Sequence, residues 1–131
     1  MPITITLCGS TKYPELFALW NRKLSLAGAA VFSVGVFSQR EGLTLSEQQK
    51  KLLDEVHKYK ISLSDAIFVL NKDGYIGNST RNEINYAIEN KKEIFFMSEE
   101  GLQEFNVPKG KNFISFDKNK LEKILNLSCI I

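Results

Sequence analysis

The sequence predicts an α/β domain in which one parallel sheet is flanked by helices. Short β-branched or apolar runs alternate with longer segments whose apolar residues recur at helical spacing. One run, Ala29–Phe37 (AAVFSVGVF), is almost continuously apolar, as expected of a strand covered on both faces of a parallel sheet. At 131 residues, 44% hydrophobic and 24% charged, the chain suits a single domain over residues 1–131 with a core of ordinary size.

The first strand is Ile3–Leu7 (ITITL), β-branched and bounded by Cys8-Gly9-Ser10-Thr11. Pro14 suits a first helical position, Leu16, Phe17, Trp20, Leu24 and Ala27 make an apolar stripe, and Gly28 closes that helix. Ala29–Phe37 is the second strand, and polar Ser38–Leu43 is a loop. Thr44-x-x-Glu47 has capping-box spacing ahead of a long helix whose expected inner stripe is Leu52, Leu53, Val56, Tyr59 and Leu63. Ala66–Leu70 (AIFVL) is the third strand, Asn71–Asn78 a loop, Thr80–Asn90 a third helix and Glu93–Met97 the fourth strand. Residues 112–116 (NFISF) read as a fifth strand, followed by a helix capped by Asp117. The pattern is that of a Rossmann-like (flavodoxin-like) domain with a five-stranded parallel sheet.

In such sheets ligands bind outside the carboxyl ends of the strands, where the strand order reverses. That rule nominates three loops side by side on one rim: Cys8–Tyr13, Phe37–Leu43 and Asn71–Ser79.

Charge sets limits on the partner. Lys plus Arg is 17 and Asp plus Glu 15, so a net charge of +2 argues against duplex nucleic acid or a membrane surface. The two cysteines, Cys8 and Cys129, have no second Cys or His at metal-ligand spacing, and we expect reduced thiols, no metal, no cofactor and a cytoplasmic protein. MPITITLCGS enters a strand directly, with neither a basic leader nor a membrane-length apolar run.

The first rim loop, Cys8-Gly9-Ser10-Thr11-Lys12, brings backbone N–H groups and hydroxyls to a strand-to-helix turn, where they suit an anion. It has neither the three-glycine dinucleotide fingerprint nor the ending of a phosphate-binding P-loop. Gly74-Tyr75-Ile76-Gly77-Asn78-Ser79-Thr80-Arg81 repeats the device with more donors, suited to phosphate or sugar hydroxyls. Both loops have a plain alternative as turns with good caps. Tyr13, Phe37 and Tyr75 fall in or beside the rim, where each can stack on a planar base.

Glu83 has two readings. Thr80-x-x-Glu83 is itself capping-box spacing, yet a carboxylate fixed on a helix just past a donor-rich loop also suits a nucleophile in glycosyl chemistry. His57, the single histidine, lies eight residues before Asp65 and has no partner at metal-ligand spacing. Asp65, at the junction of long helix and third strand, suits hydrogen bonds to backbone amides.

Three stretches together resemble the nucleoside 2-deoxyribosyltransferase superfamily, which includes the 2'-deoxynucleoside 5'-phosphate N-hydrolases. They are ITLCGSTKY, HKYKISLSDAIFVLN and GYIGNSTRNEINYAIENKKEIFF, spanning roughly residues 3–97. The resemblance implies that Glu83, in NEINYA, is the nucleophile attacking the anomeric carbon, with His57 and Asp65 as further candidate catalytic residues. It implies contacts to sugar or phosphate from Gly9, Ser10 and Tyr13, and to a 5'-phosphate from Ser79 and Thr80. Thr11, Phe37, Gly74, Tyr75, Gly77, Asn78 and Arg81 complete the candidate substrate-binding set. The expected ligand is a small nucleoside or nucleotide, and the expected assembly a homodimer whose neighbouring subunit helps close the pocket. The chain departs from the family at His57, where characterised members carry an aspartate, and in the loop before Glu83, which lacks their base-holding acidic residue. An enzyme acting on N-glycosidic bonds and a nucleotide-binding module without turnover both remain open at this point.

Overall fold

The computed structural model describes residues 2–98. Its elements are β1 (Thr4–Gly9), α1 (Pro14–Leu26), β2 (Ala30–Phe32), α2 (Ser38–Glu41), α3 (Glu47–Leu63), β3 (Ala66–Leu70), a 3₁₀ turn (Lys72–Gly74), α4 (Asn78–Glu89) and β4 (Glu93–Phe96). All described strand pairs are parallel, in the order β2-β1-β3-β4. This is an α/β fold with four described strands instead of the five expected; residues 112–116 lie outside the described residues, as does the helix expected after Asp117.

β1 and β3 run in register from Ile5↔Ala66 to Gly9↔Leu70, and every residue of β3 is buried. Because side chains alternate along a strand, Ala66, Phe68 and Leu70 face α1, where they meet Phe17, Leu24 and the Trp20 ring. Ile67 and Val69 face the opposite way and pack with Cys8, Ile61 of α3, and Ile84 and Ala87 of α4. The sheet thus separates one helix from two.

Polar groups inside this second layer are paired. The Ser64 hydroxyl donates to the Lys60 carbonyl at 2.8 Å, so Thr6 is the donor in the 2.6 Å contact between the Thr6 and Ser64 hydroxyls. At the far end of β3 the buried Asn71 amide donates to the Ser98 carbonyl and accepts from the Ser98 N–H, each at 2.9 Å.

Several boundaries differ from the sequence expectation. β2 is three residues long and lies at the sheet edge, with Ala30 exposed, so Ala29–Phe37 is not a strand covered on both faces. Val34 and Phe37 lie beyond β2 and pack on the α1 side of the core. Ser38–Glu41, read as loop, forms a helical turn closed by Gly42 in the left-handed region at φ 67°. The cap of α3 is Ser46, not Thr44: Ser46 Oγ accepts from Gln49 N at 3.1 Å, and Gln49 Oε1 accepts from Ser46 N at 2.9 Å.

The buried side of α3 also differs. His57 and Ile61 are its buried residues, whereas Leu52, Val56, Tyr59 and Leu63 of the expected inner stripe are 53%, 50%, 64% and 53% exposed.

The cap assignment is directly testable. Ser46→Ala is expected to lower stability in urea denaturation by about 1 kcal/mol, with Thr44→Ala close to neutral; the reverse order would restore the Thr44 cap.

Candidate active site

The order β2-β1-β3-β4 places the reversal of chain direction between β1 and β3. A cleft of about 500 Å³ opens at their carboxyl ends. Gly9, Ser10 and Thr11 supply one wall, Tyr75, Gly77, Asn78, Ser79 and Thr80 another, and α3 a third through Lys50, Leu53, Asp54, His57 and Lys60. Val34, Gly35 and Val36 complete it from the chain after β2. A Cβ on Gly9 would lie 3.1 Å from Leu70 Cβ, a tight contact, so glycine eases the close run of the β1 exit past β3.

Glu83 and His57 meet in this cleft. Glu83 Oε2 lies 3.1 Å from His57 Nε2, with the side chains 15% and 10% exposed. The capping-box reading of Glu83 does not hold, because α4 begins at Asn78 with Gly77 as N-cap. Glu83 is therefore its sixth residue, beyond the turn that a capping carboxylate serves. Cys8 Sγ lies 3.6 Å from the same imidazole nitrogen.

Burial governs the protons here. It pushes the Glu83 carboxyl up from 4.5 to about 8, helped by Asp54 and opposed by Lys58. It pushes His57 down from 6.5 to about 4, helped by Lys60 and opposed by a hydrogen bond to the Leu7 backbone. Burial, with Glu83 nearby, also holds the Cys8 thiol well above its usual range. Nε2 faces Glu83 and Cys8, so in a neutral ring that accepts there the proton sits on Nδ1. At neutral pH the resting pair is then a protonated carboxyl donating to a neutral imidazole.

Cys8, His57 and Glu83 also offer a sulfur, a nitrogen and an oxygen within 4.8 Å of one another. A metal bound there would have to displace the carboxyl and thiol protons.

Of the expected binding residues, Gly9, Ser10, Thr11, Tyr75, Gly77, Asn78, Ser79 and Thr80 line the cleft, and Tyr13, Phe37, Gly74 and Arg81 are not among the residues lining it. Phe37 packs edge-on against Phe17 with ring centroids 5.3 Å apart, which corrects its assignment as a stacking platform. The Tyr13 and Tyr75 rings each take a lysine ammonium at 5.0 Å, from Lys72 and Lys12 respectively. Asp65 corrects the catalytic assignment. It stands at the start of β3, where its carboxylate accepts from Thr4 N at 2.8 Å, on the order of 17 Å of strand from the rim.

Sequence reasoning missed Lys50, Leu53, Asp54 and Lys60 as cleft residues. The signal was helical spacing from Lys50 through His57, on the face of α3 that carries fewer apolar residues.

No protein-family model matches the chain, and no curated protein matches it. Among solved structures it is similar to a Clostridium botulinum CMP N-glycosidase, BcmB, at 19% identity and a TM-score of 0.53. The likeness covers 98% of this chain and 99% of that one. At that identity it establishes a shared fold. No helix among the described residues is long and apolar enough to cross a membrane.

Linkage gives the buried pair a stability signature. Glu83 binds its proton more tightly folded than unfolded, so its contribution is lost as pH rises from 4.5 through about 8. His57 acts oppositely, and its share is lost as pH falls from 6.5 through about 4. The wild type is therefore expected to lose on the order of 1–2 kcal/mol between pH 6.5 and 8, and Glu83→Gln to flatten that limb in urea titrations.

Proposed function

We propose that the cleft binds a nucleoside or nucleotide and cleaves its N-glycosidic bond through Glu83. The observation that carries this reading is the buried Glu83–His57 contact, set beside hydroxyl-rich loops at the strand ends. The Glu83 carboxylate attacks the anomeric carbon, His57 gives a proton to the departing base, and water or a second base resolves the glycosyl ester. The fold shared with a CMP N-glycosidase over nearly the whole chain supports the choice of bond. Ser10 and Thr11 line the same cleft as Asn78 and Ser79 at the start of α4, whose first-turn N–H groups suit a 5'-phosphate, and Tyr75 is the aromatic residue of the cleft that a base can meet. Asp54 and Lys50 add polar groups on the α3 wall that a bound nucleoside can also meet.

One observation favours a second reading, a nucleotide-binding module without turnover: Glu83 holds a proton at neutral pH, and a protonated carboxyl is no nucleophile. Cleavage assays on nucleosides and their 5'-monophosphates decide between the two. Glu83→Gln is expected to lower kcat at least about 100-fold with little change in binding. Tight binding of a nucleotide by a wild type that releases no base would establish the module instead. Ser79→Ala is expected to raise KM for a 5'-monophosphate more than for its nucleoside, by roughly 10-fold.

We place the protein in the cytoplasm as a homodimer. The buried free thiol of Cys8 fits a reducing setting. Leu52, Tyr59 and Leu63 form an exposed apolar stripe on α3, the helix that also carries His57, so a second copy seated there abuts the cleft. Tyr59→Glu is expected to halve the mass seen by analytical ultracentrifugation; a monomeric wild type would refute the dimer.

A further inference from the structure

Resting on the glycosidase reading above, we propose that Glu83 and His57 act as one proton couple. The proton of the Glu83 carboxyl passes to His57 Nε2 as substrate reacts, so the carboxylate nucleophile and the imidazolium acid are made in the same event.

The geometry supplies the path. At 3.1 Å the two heavy atoms are in direct hydrogen-bond contact, and no intervening water is needed. Both side chains line the cleft while remaining 10% and 15% exposed, so each reaches substrate but is shielded from bulk solvent. Nε2, the nitrogen that receives the proton, is the one in contact with the carboxyl.

Charge supplies the reason. A lone carboxylate or a lone imidazolium in this wall costs several kcal/mol of desolvation, whereas an internal transfer leaves the pair at zero net charge throughout. The other titratable groups bearing on the pair are Cys8 on β1 and Asp54, Lys58 and Lys60 on α3. Lys50 and Tyr75 line the same cleft. Asp54 keeps the proton on Glu83 and Lys60 keeps it off His57, so both favour the neutral resting form over the charged one. Cys8 is uncharged and 3.6 Å from Nε2, a weak second donor to the same lone pair.

The steps balance. Glu83 gives its proton to Nε2, and its oxygen bonds to the anomeric carbon as the carbon–nitrogen bond breaks and its electron pair goes to the base. His57 protonates the base and becomes neutral. It then takes a proton from water as the water oxygen bonds to the anomeric carbon. The ester bond breaks towards Glu83, and the proton returns from His57 to the carboxylate. The products are free base and free sugar, and the couple is restored.

Two measurements test it. The chain has one histidine, so the imidazole ¹⁵N spectrum of the labelled protein reports His57 alone. The expected result is a neutral Nδ1–H tautomer near pH 7, with Nε2 shifting as Glu83 loses its proton around pH 8 and that shift abolished in Glu83→Gln. An imidazolium near pH 7 would overturn the couple. The second measurement uses a nitrophenyl 2-deoxyriboside, whose leaving group needs no proton. His57→Gln is expected to cut its cleavage roughly 10-fold near pH 7 and to recover most of it above about pH 8, where Glu83 ionises unaided. An equal loss at every pH would overturn the couple, because His57 would then have no part in removing the Glu83 proton. The glycosidase reading fails separately. If the wild type cleaves no nucleoside, nucleotide or nitrophenyl glycoside while the spectrum shows the neutral pair, catalysis is refuted and the resting hydrogen bond stands.

Discussion

The parallel pairing of β1 with β3 is the constraint on which the other features depend. Five residues of each strand run in register, and their alternation sends one set of side chains to α1 and the other to α3 and α4. Both strands end at the same level, so the turns that follow them are neighbours whatever their sequences. The glycine at the end of β1 keeps the two exits in contact, since any side chain there would press on Leu70. A cleft between the Gly9–Thr11 turn and the Tyr75–Thr80 segment is the geometric result.

Within that frame the unusual feature is what the second layer buries. Interiors exclude charge, and an ionisable group placed there changes its protonation or finds a partner. Glu83 and His57 do both. Each moves towards its neutral form, and each supplies what the neutral form of the other lacks, a donor for Nε2 and an acceptor for the carboxyl proton. Cys8 adds a neutral, polarisable contact instead of another charge. The pair is thus neutral in net charge and polar in chemistry, an arrangement in which a proton moves between two sites without the pair gaining or losing charge.

Much of the fold was legible because core strands and the α1 stripe leave a simple pattern. AIFVL is apolar throughout and is buried throughout. The α3 helix was misread because its most regular apolar stripe faces outward, while its inward face is held by His57 and Ile61. Hydrophobic periodicity locates a helix but does not say which of two faces meets the sheet when a polar group is destined for the interior. Two capping boxes overlap at its start, and only the backbone geometry distinguishes Ser46–Gln49 from Thr44–Glu47. The same ambiguity gave Glu83 a second reading, since three-residue spacing from Thr80 is meaningful only if Thr80 is the cap, and α4 begins earlier. The rim loops were legible from their glycines and hydroxyls. The contact between Glu83 and His57 was not, because it joins residues that share no local pattern and meet only through the packing of α3 on α4.

The side chain of Asn71 imitates a peptide group. By giving and taking one hydrogen bond with Ser98, it extends the ladder one step past the end of β3, beyond the bond from Met97 N to the Val69 carbonyl. The chain leaving β4 is therefore moored to the residue that opens the β3–α4 connection, at the carboxyl edge of the sheet. Loosening that one side chain therefore frees the end of β4 and the start of the β3–α4 connection together.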